Sequence, residues 1–103
     1  MSDLINIYKK IKTAPTIMGI KLEKEICEQL VSLDKSELTN QWDFLDKIFD
    51  DLYTSHTDSF YEIKSEGEFD FFISWLNCLA NSQDFSQHKT ELEDLADMFS
   101  VVP

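Results

Sequence analysis

Four aspartates, Asp43, Asp46, Asp50 and Asp51, stand in the stretch QWDFLDKIFDDLY (residues 41–53), interleaved with Trp42, Phe44, Phe49 and Tyr53 and balanced by Lys47 alone. Carboxylates so placed could gather a cation or present a negative surface to a positive partner. A calcium loop needs alternating oxygen ligands around a central glycine. This stretch has helical spacing and no glycine, so no metal site is expected. The two histidines, His56 in TSHTDSF and His88 beside an apolar face, are candidates for acid–base work. Yet the chain has no G-x-S-x-G, no cysteine near a histidine and no Glu-x-x-His pair of a di-iron bundle. No catalytic residue and no cofactor are expected. Cys27 and Cys78 lie far apart in apolar helical patterns without a C-x-x-C, which predicts two buried free thiols.

The acid is unevenly placed. Net charge is −11 with nine lysines, twenty acids and no arginine. Up to Lys35, six lysines face five acids, a balance of +1; from Ser36 onward, three lysines face fifteen acids, a balance of −12. Arginine is the side chain that pairs carboxylates bidentately, so few of these acids have a directional internal partner. Concentrated like charge opposes compaction, steers cations inward and repels nucleic acid and anionic membrane. The expected partner is a basic protein; the plainer alternative is that the acidity only aids solubility.

The elements that must position these acids read as helices. Hydrophobic residues make up 43% of 103 residues, with only two glycines and two prolines, which fits a packed core with few tight turns. Ser2 can cap a first helix with Leu4, Ile7, Tyr8 and Ile11 on one stripe, stopped by Pro15. A second runs through IMGIKLEKEICEQLVSL (residues 17–33), with Leu22, Ile26, Leu30 and Leu33 inward, Lys21, Glu25 and Glu28 outward, and Gly19 weakening its first turn. Ser36 can cap a third that continues to about Thr54, placing Leu38, Trp42, Leu45, Ile48, Phe49 and Leu52 on one side and Asp43, Asp46, Lys47, Asp50 and Asp51 on the other.

TSHTDSF (residues 54–60) reads as a turn. Thr57 or Asp58 can cap a brief fourth helix through Phe60 and Ile63 that ends near Gly67 in a left-handed conformation. In EGEFDFFISWLNCLANS (residues 66–82), Phe69, Phe72, Ile73, Leu76, Leu79 and Ala80 form one face, widened by Phe71, Trp75 and Cys78. A helix apolar nearly all round is expected at the centre of a bundle, or else shows Phe71 and Trp75 to a partner. Ser82 or Asp84 can cap a last helix with Phe85, His88, Leu92, Leu95, Ala96 and Phe99 inward and Glu91, Glu93, Asp94 and Asp97 outward. The expected architecture is all-α: one domain over residues 1–103, a single bundle of five or six short helices. No apolar run approaches the about 18 residues that span a bilayer, and MSDLINIYKKIK (residues 1–12) does not read as a signal peptide. A cytoplasmic location is expected.

Two resemblances bear on function. HTDSF (residues 56–60) resembles the Asp-Ser-Leu signature of acyl carrier proteins, which would imply a phosphopantetheine on Ser59, although Phe60 stands where that family has leucine. The match is three residues, and Asp-Ser is also a common helix cap. Over most of the chain, length, acidity and the segments FDFFISWLNCLANS (69–82) and ELEDLADMF (91–99) resemble the small acidic helical immunity proteins of bacterial contact-dependent growth inhibition and bacteriocin systems. That resemblance implies an inhibitor that binds a cognate toxin's nuclease domain one-to-one, without catalysis of its own. A DNA-mimic inhibitor of a DNA-binding protein is the alternative on the same electrostatics.

The diverse immunity proteins supply no residue to carry across, so the expected contacts are physical. Asp43, Asp46, Asp50 and Asp51, continuing through Asp58, Glu62, Glu66, Glu68 and Asp70, form the longest acidic region. Tyr53, Phe60, Tyr61, Phe71 and Trp75 are its aromatic anchors. The ridge Glu91, Glu93, Asp94 and Asp97 is the competing surface.

Overall fold

A computed structural model describes residues 3–14, 18–58 and 67–100, with the side chain of Asp58 outside that description. The described residues are all-α, with no strand: α1 Asp3–Thr13, α2 Gly19–Val31, α3 Lys35–Asn40, α4 Trp42–Asp58, α5 Asp70–Ala80, a 3-10 turn Gln83–His88 and α6 Lys89–Ser100. They group into two compact units, Met1–Glu62 and Ile63–Pro103, each treated by itself.

In the first unit, α1 forms where the sequence places it. Leu4, Ile7 and Ile11 are buried, and Asp3 at its start and Lys10 and Lys12 at its end complement the helix dipole. The Leu4 N–H, one of the first-turn donors that no helix satisfies internally, donates to Glu37 Oε1 of α3 at 3.3 Å. Tyr8 meets Phe44 of α4 edge-on at 5.4 Å. Helix α2 starts at Gly19, whose φ of +80° is a conformation that side-chain-bearing residues rarely adopt.

The buried side of α2 is Glu23, Ile26, Cys27 and Leu30. This corrects the expected stripe: Leu22 and Leu33 are half-buried, the helix stops at Val31, and a carboxylate takes a core position. The single third helix expected from Ser36 is two helices broken at Gln41, whose φ of −128° and ψ of 41° are not helical. The Gln41 carbonyl then accepts from the N–H groups of Phe44 and Leu45, both at 3.1 Å, and starts α4. Leu38 and Leu45, seven residues apart, are both buried, so the apolar pattern is continuous across a break it cannot reveal.

Helix α4 runs through Asp58, so the expected turn at TSHTDSF is helical in its first five residues. Ser55 and His56 are buried, continuing the stripe of Leu45, Ile48, Phe49 and Leu52. Polar residues at core positions masked the helix from a hydrophobic pattern. The expected fourth helix, with Phe60 and Ile63, lies outside the described residues.

In the second unit, Gly67 has φ +80°, the left-handed conformation expected of it. Helix α5 buries Phe69 at its N-cap, then Phe72, Leu76, Leu79 and Ala80; α6 buries Leu92, Leu95, Ala96 and Phe99. Their contact is aromatic, with Phe99 5.2 Å from Phe69 and 5.0 Å from Phe72. Helix α5 is one-sided rather than encased. Phe71, Ile73 and Trp75 are half-buried, and Cys78 is exposed, against the expectation that both thiols are buried. The cause is register: Cys78 follows the exposed Asn77 on the side away from Phe72 and Leu76. The last helix also divides, into the 3-10 turn that buries Phe85 and α6, with half-buried His88 at the end of the turn.

Candidate partner-binding face

Helix α4 has an inner stripe and two outer flanks, and the flanks treat their carboxylates differently. On the flank toward α1 lie Phe44, Lys47 and Asp51. Asp51 Oδ2 forms an ion pair with Lys12 Nζ at 3.1 Å, and this close contact and its charge hold the Lys12 ammonium above the ordinary lysine range. Lys47, the stretch's single cation, sits over the Tyr8 and Phe44 rings at 5.9 Å from each, while Lys12 is 5.4 Å from the Tyr8 ring. These distances are within reach of cation–π attraction. Both lysines are thus drawn to the α1–α4 seam.

The other flank carries Asp43, Asp46, Asp50 and Tyr53, spaced three, four and three residues apart so that they share one side. Asp43 and Asp50 are exposed and Asp46 half-buried. Among the described residues none of the three has an ion pair or a hydrogen bond to its side chain. Partial desolvation along the helix, then the charges of Asp46 and Asp51, push the Asp50 carboxyl above its ordinary value. Tyr53 is 50% exposed, the one large hydrophobic side chain so exposed among the described residues.

The remaining expected contacts divide in two. Asp58 ends α4, and Phe60, Tyr61, Glu62 and Glu66 lie outside the described residues. Glu68, Asp70, Phe71 and Trp75 belong to the second unit: Asp70 is exposed, Glu68 and Phe71 are half-buried, and half-buried Trp75 stacks on Phe72 at 5.4 Å and 23°. Stacking on a core ring fixes one face of Trp75 and leaves less of it for contact. The competing ridge Glu91, Glu93, Asp94 and Asp97 is exposed along α6.

Two polar sites were not anticipated. His56 Nδ1 lies 3.1 Å from Glu23 Oε2, with the side chains 3% and 0% exposed. Beside it, the buried Ser55 hydroxyl oxygen accepts the Met18 N–H at 2.9 Å. The signal was present in the spacing: Glu23, Ile26, Cys27 and Leu30 repeat as a helical core stripe, and His56 follows Leu52 by four. A groove of about 310 Å³ lies beside α1 and the end of α2, lined by Asp3, Asn6, Ile7, Lys10, Gln29, Ser32 and Leu33. Its Ser32 hydroxyl donates to the Gln29 carbonyl at 2.7 Å.

Among the described residues no group of three His, Cys, Asp or Glu side chains could hold a metal ion, and no helix is long and apolar enough to cross a membrane. No family model, curated protein or solved structure matches the chain.

Proposed function

We propose that this chain is an immunity protein: it binds a cognate basic toxin domain, a nuclease, one-to-one, and covers the toxin's active site with an acidic surface. The observation that carries this reading is the outer flank of α4, where Asp43, Asp46 and Asp50 have no partner among the described residues and flank a half-exposed Tyr53. Like charges three and four residues apart on a helix cost stability, and the nearby lysines are engaged at the α1–α4 seam. A surface maintained against its own repulsion gains most from a partner that neutralises it.

A nuclease active site binds phosphates with cations, and carboxylates can take the place of those phosphates. Association would be electrostatically steered and fast at low salt. Tyr53 supplies what charge does not: a rigid amphipathic anchor of the residue type that dominates interface energetics. No catalysis is assigned to the chain.

The experiment is a low-salt pull-down from the source lysate with the tagged chain as bait, read by mass spectrometry. Recovery of a basic toxin domain, whose nuclease activity the purified chain then abolishes, supports the reading. Recovery of a DNA-binding regulator that the chain displaces from DNA would replace it with DNA mimicry, and an acyl synthase would replace it with carrier docking.

A further inference from the structure

The groove between α1 and α2 in the first unit is a ladder of facing polar residues of which one rung is joined. Lys10, near the end of α1, pairs with Glu25 of α2. Toward the start of α1 and the end of α2, the same groove is lined by Asn6 with Gln29, and then by Asp3 with Ser32. Neither of these two rungs is closed: among the described residues no hydrogen bond joins Asn6 to Gln29, and Ser32 donates to the Gln29 carbonyl, not to Asp3. We infer that the groove is a docking site for an extended peptide segment of another protein, about three residues long, which lays its backbone between Asn6 and Gln29 and offers a cation at the Asp3 end.

The two open rungs define the occupant by what they lack. Asn6 and Gln29 each carry a carboxamide, with two donors and an acceptor, and neither side chain has a hydrogen bond among the described residues. A peptide unit points its N–H and its C=O to opposite sides, so it can pair with a carboxamide on either flank. Asp3 and Ser32 present acceptors, a carboxylate and a hydroxyl oxygen whose proton is already given. Asp3 is exposed and has no ion pair among the described residues. Helix α2 ends beside it with no basic side chain in its last turn, so the negative end of that helix dipole also favours a cation here.

Size and floor agree with an extended chain. Asp3 and Lys10 are seven positions apart on one helix, which spans about 10.5 Å, the reach of about three extended residues. A volume of about 310 Å³ would hold a backbone with one apolar side chain, whereas a helix about 10 Å across would not enter. Ile7 is buried and Leu33 half-buried at the base. Successive side chains of an extended segment point to opposite faces. An apolar residue can therefore face Ile7 and Leu33 while its neighbour carries the cation to Asp3 at the rim. This site lies on α1 and α2 and stands whether or not the acidic flank of α4 meets a toxin.

The probe is the capped tripeptide acetyl-Lys-Leu-Lys-amide, whose leucine has a lysine on either side so that neither chain direction is assumed. It is titrated into the isotope-labelled full chain and followed by NMR at about 150 mM salt, where long-range attraction to the net charge is screened. The side-chain amide signals of Asn6 and Gln29 should shift and saturate by about 10 mM peptide. The Asn6→Ala/Gln29→Ala double variant, altered at helix positions where alanine is well tolerated, should bind about tenfold more weakly, because two hydrogen bonds are lost. Cadaverine, a dication without a peptide unit, should leave both signals in place. Peptide shifts confined to Asp43, Asp46 and Asp50, equal shifts at Asn6 and Gln29 with cadaverine, or an unchanged affinity in the double variant would each overturn the proposal. If the double variant does not fold, the wild-type titrations with peptide and cadaverine decide alone.

Discussion

Lys12 of α1 and Asp51 of α4 face each other at 3.1 Å, while Asp50, the next residue, has no cation within pairing distance among the described residues. One residue of helical rotation, about 100°, separates a carboxylate used inside the unit from one left to the surface. The four aspartates of residues 43–51 are therefore two populations: Asp51 stabilises the α1–α4 seam, and Asp43, Asp46 and Asp50 form the open flank.

Reversing Asp46 and Asp50 to Lys should slow association with the captured toxin domain and flatten its dependence on salt, because steering scales with the charge on the flank. Folding should survive, since neither carboxylate has an ion pair among the described residues and the exchange turns the Asp43–Asp46 repulsion into attraction while positions 46 and 50 stay like-charged. Stopped-flow association at several ionic strengths, with circular dichroism as the control, reads both effects. Unchanged kinetics would move the interface to the α6 ridge of Glu91, Glu93, Asp94 and Asp97.

Glu23→Ala should cost about 3–5 kcal/mol in urea unfolding, because it leaves His56 buried without its carboxylate. A Glu23→Met/His56→Leu pair should cost less, since both polar partners are then replaced by apolar groups of similar size. Equal losses in the two variants would mean that packing volume, not pairing, governs the site.

Cys78 should react at once with a maleimide in the native protein, and Cys27 only after unfolding, because the first thiol is exposed and the second buried. The pH dependence has a definite sign. The folded state holds the Cys27 proton to higher pH than the unfolded chain does, so above the ordinary thiol pKa of about 8.5 the unfolded state binds fewer protons and stability falls. The slope from this group approaches about 1.4 kcal/mol per pH unit. Cys27→Ala should remove that component of the alkaline loss, and an unchanged slope in urea titrations would assign it to other groups.

Gly67→Ala should destabilise by about 1–2 kcal/mol through the left-handed backbone at φ +80°. The added Cβ would stand 3.1 Å from Asp70 Oδ2, but that carboxylate is the far end of an exposed side chain and can swing aside, so the backbone term governs. Gly67→Asn, which tolerates this conformation better, should lose less. Thermal unfolding of the two variants compares them directly.

Much of the fold was legible because burial repeats with the helix. Leu4, Ile7 and Ile11, then Leu45, Ile48, Phe49 and Leu52, then Leu92, Leu95, Ala96 and Phe99 lie inside as their spacing required. In the first unit, two features escaped the spacing because it reads hydrophobicity alone. The break at Gln41 keeps Leu38 and Leu45 in phase, and Ser55, His56 and Glu23 occupy stripe positions while being polar. A pattern made of hydrophobicity cannot register a break that preserves phase, nor a core position filled by a charge.

The amino-acid sequence by itself determined that the chain is helical, that its acid gathers after Ser36, and that Asp43, Asp46 and Asp50 lie opposite the apolar stripe of their helix. Those are properties of composition and of a period of about 3.6 residues, and they need no partner helix. Only the tertiary structure decided that Asp51 is held by Lys12, that Lys47 rests on the rings of Tyr8 and Phe44, and that Glu23 and His56 meet inside the first unit. Residues 39 and 33 positions apart in the chain come within hydrogen-bonding distance only when the faces of α1, α2 and α4 pack together, and local propensity carries no information about that approach.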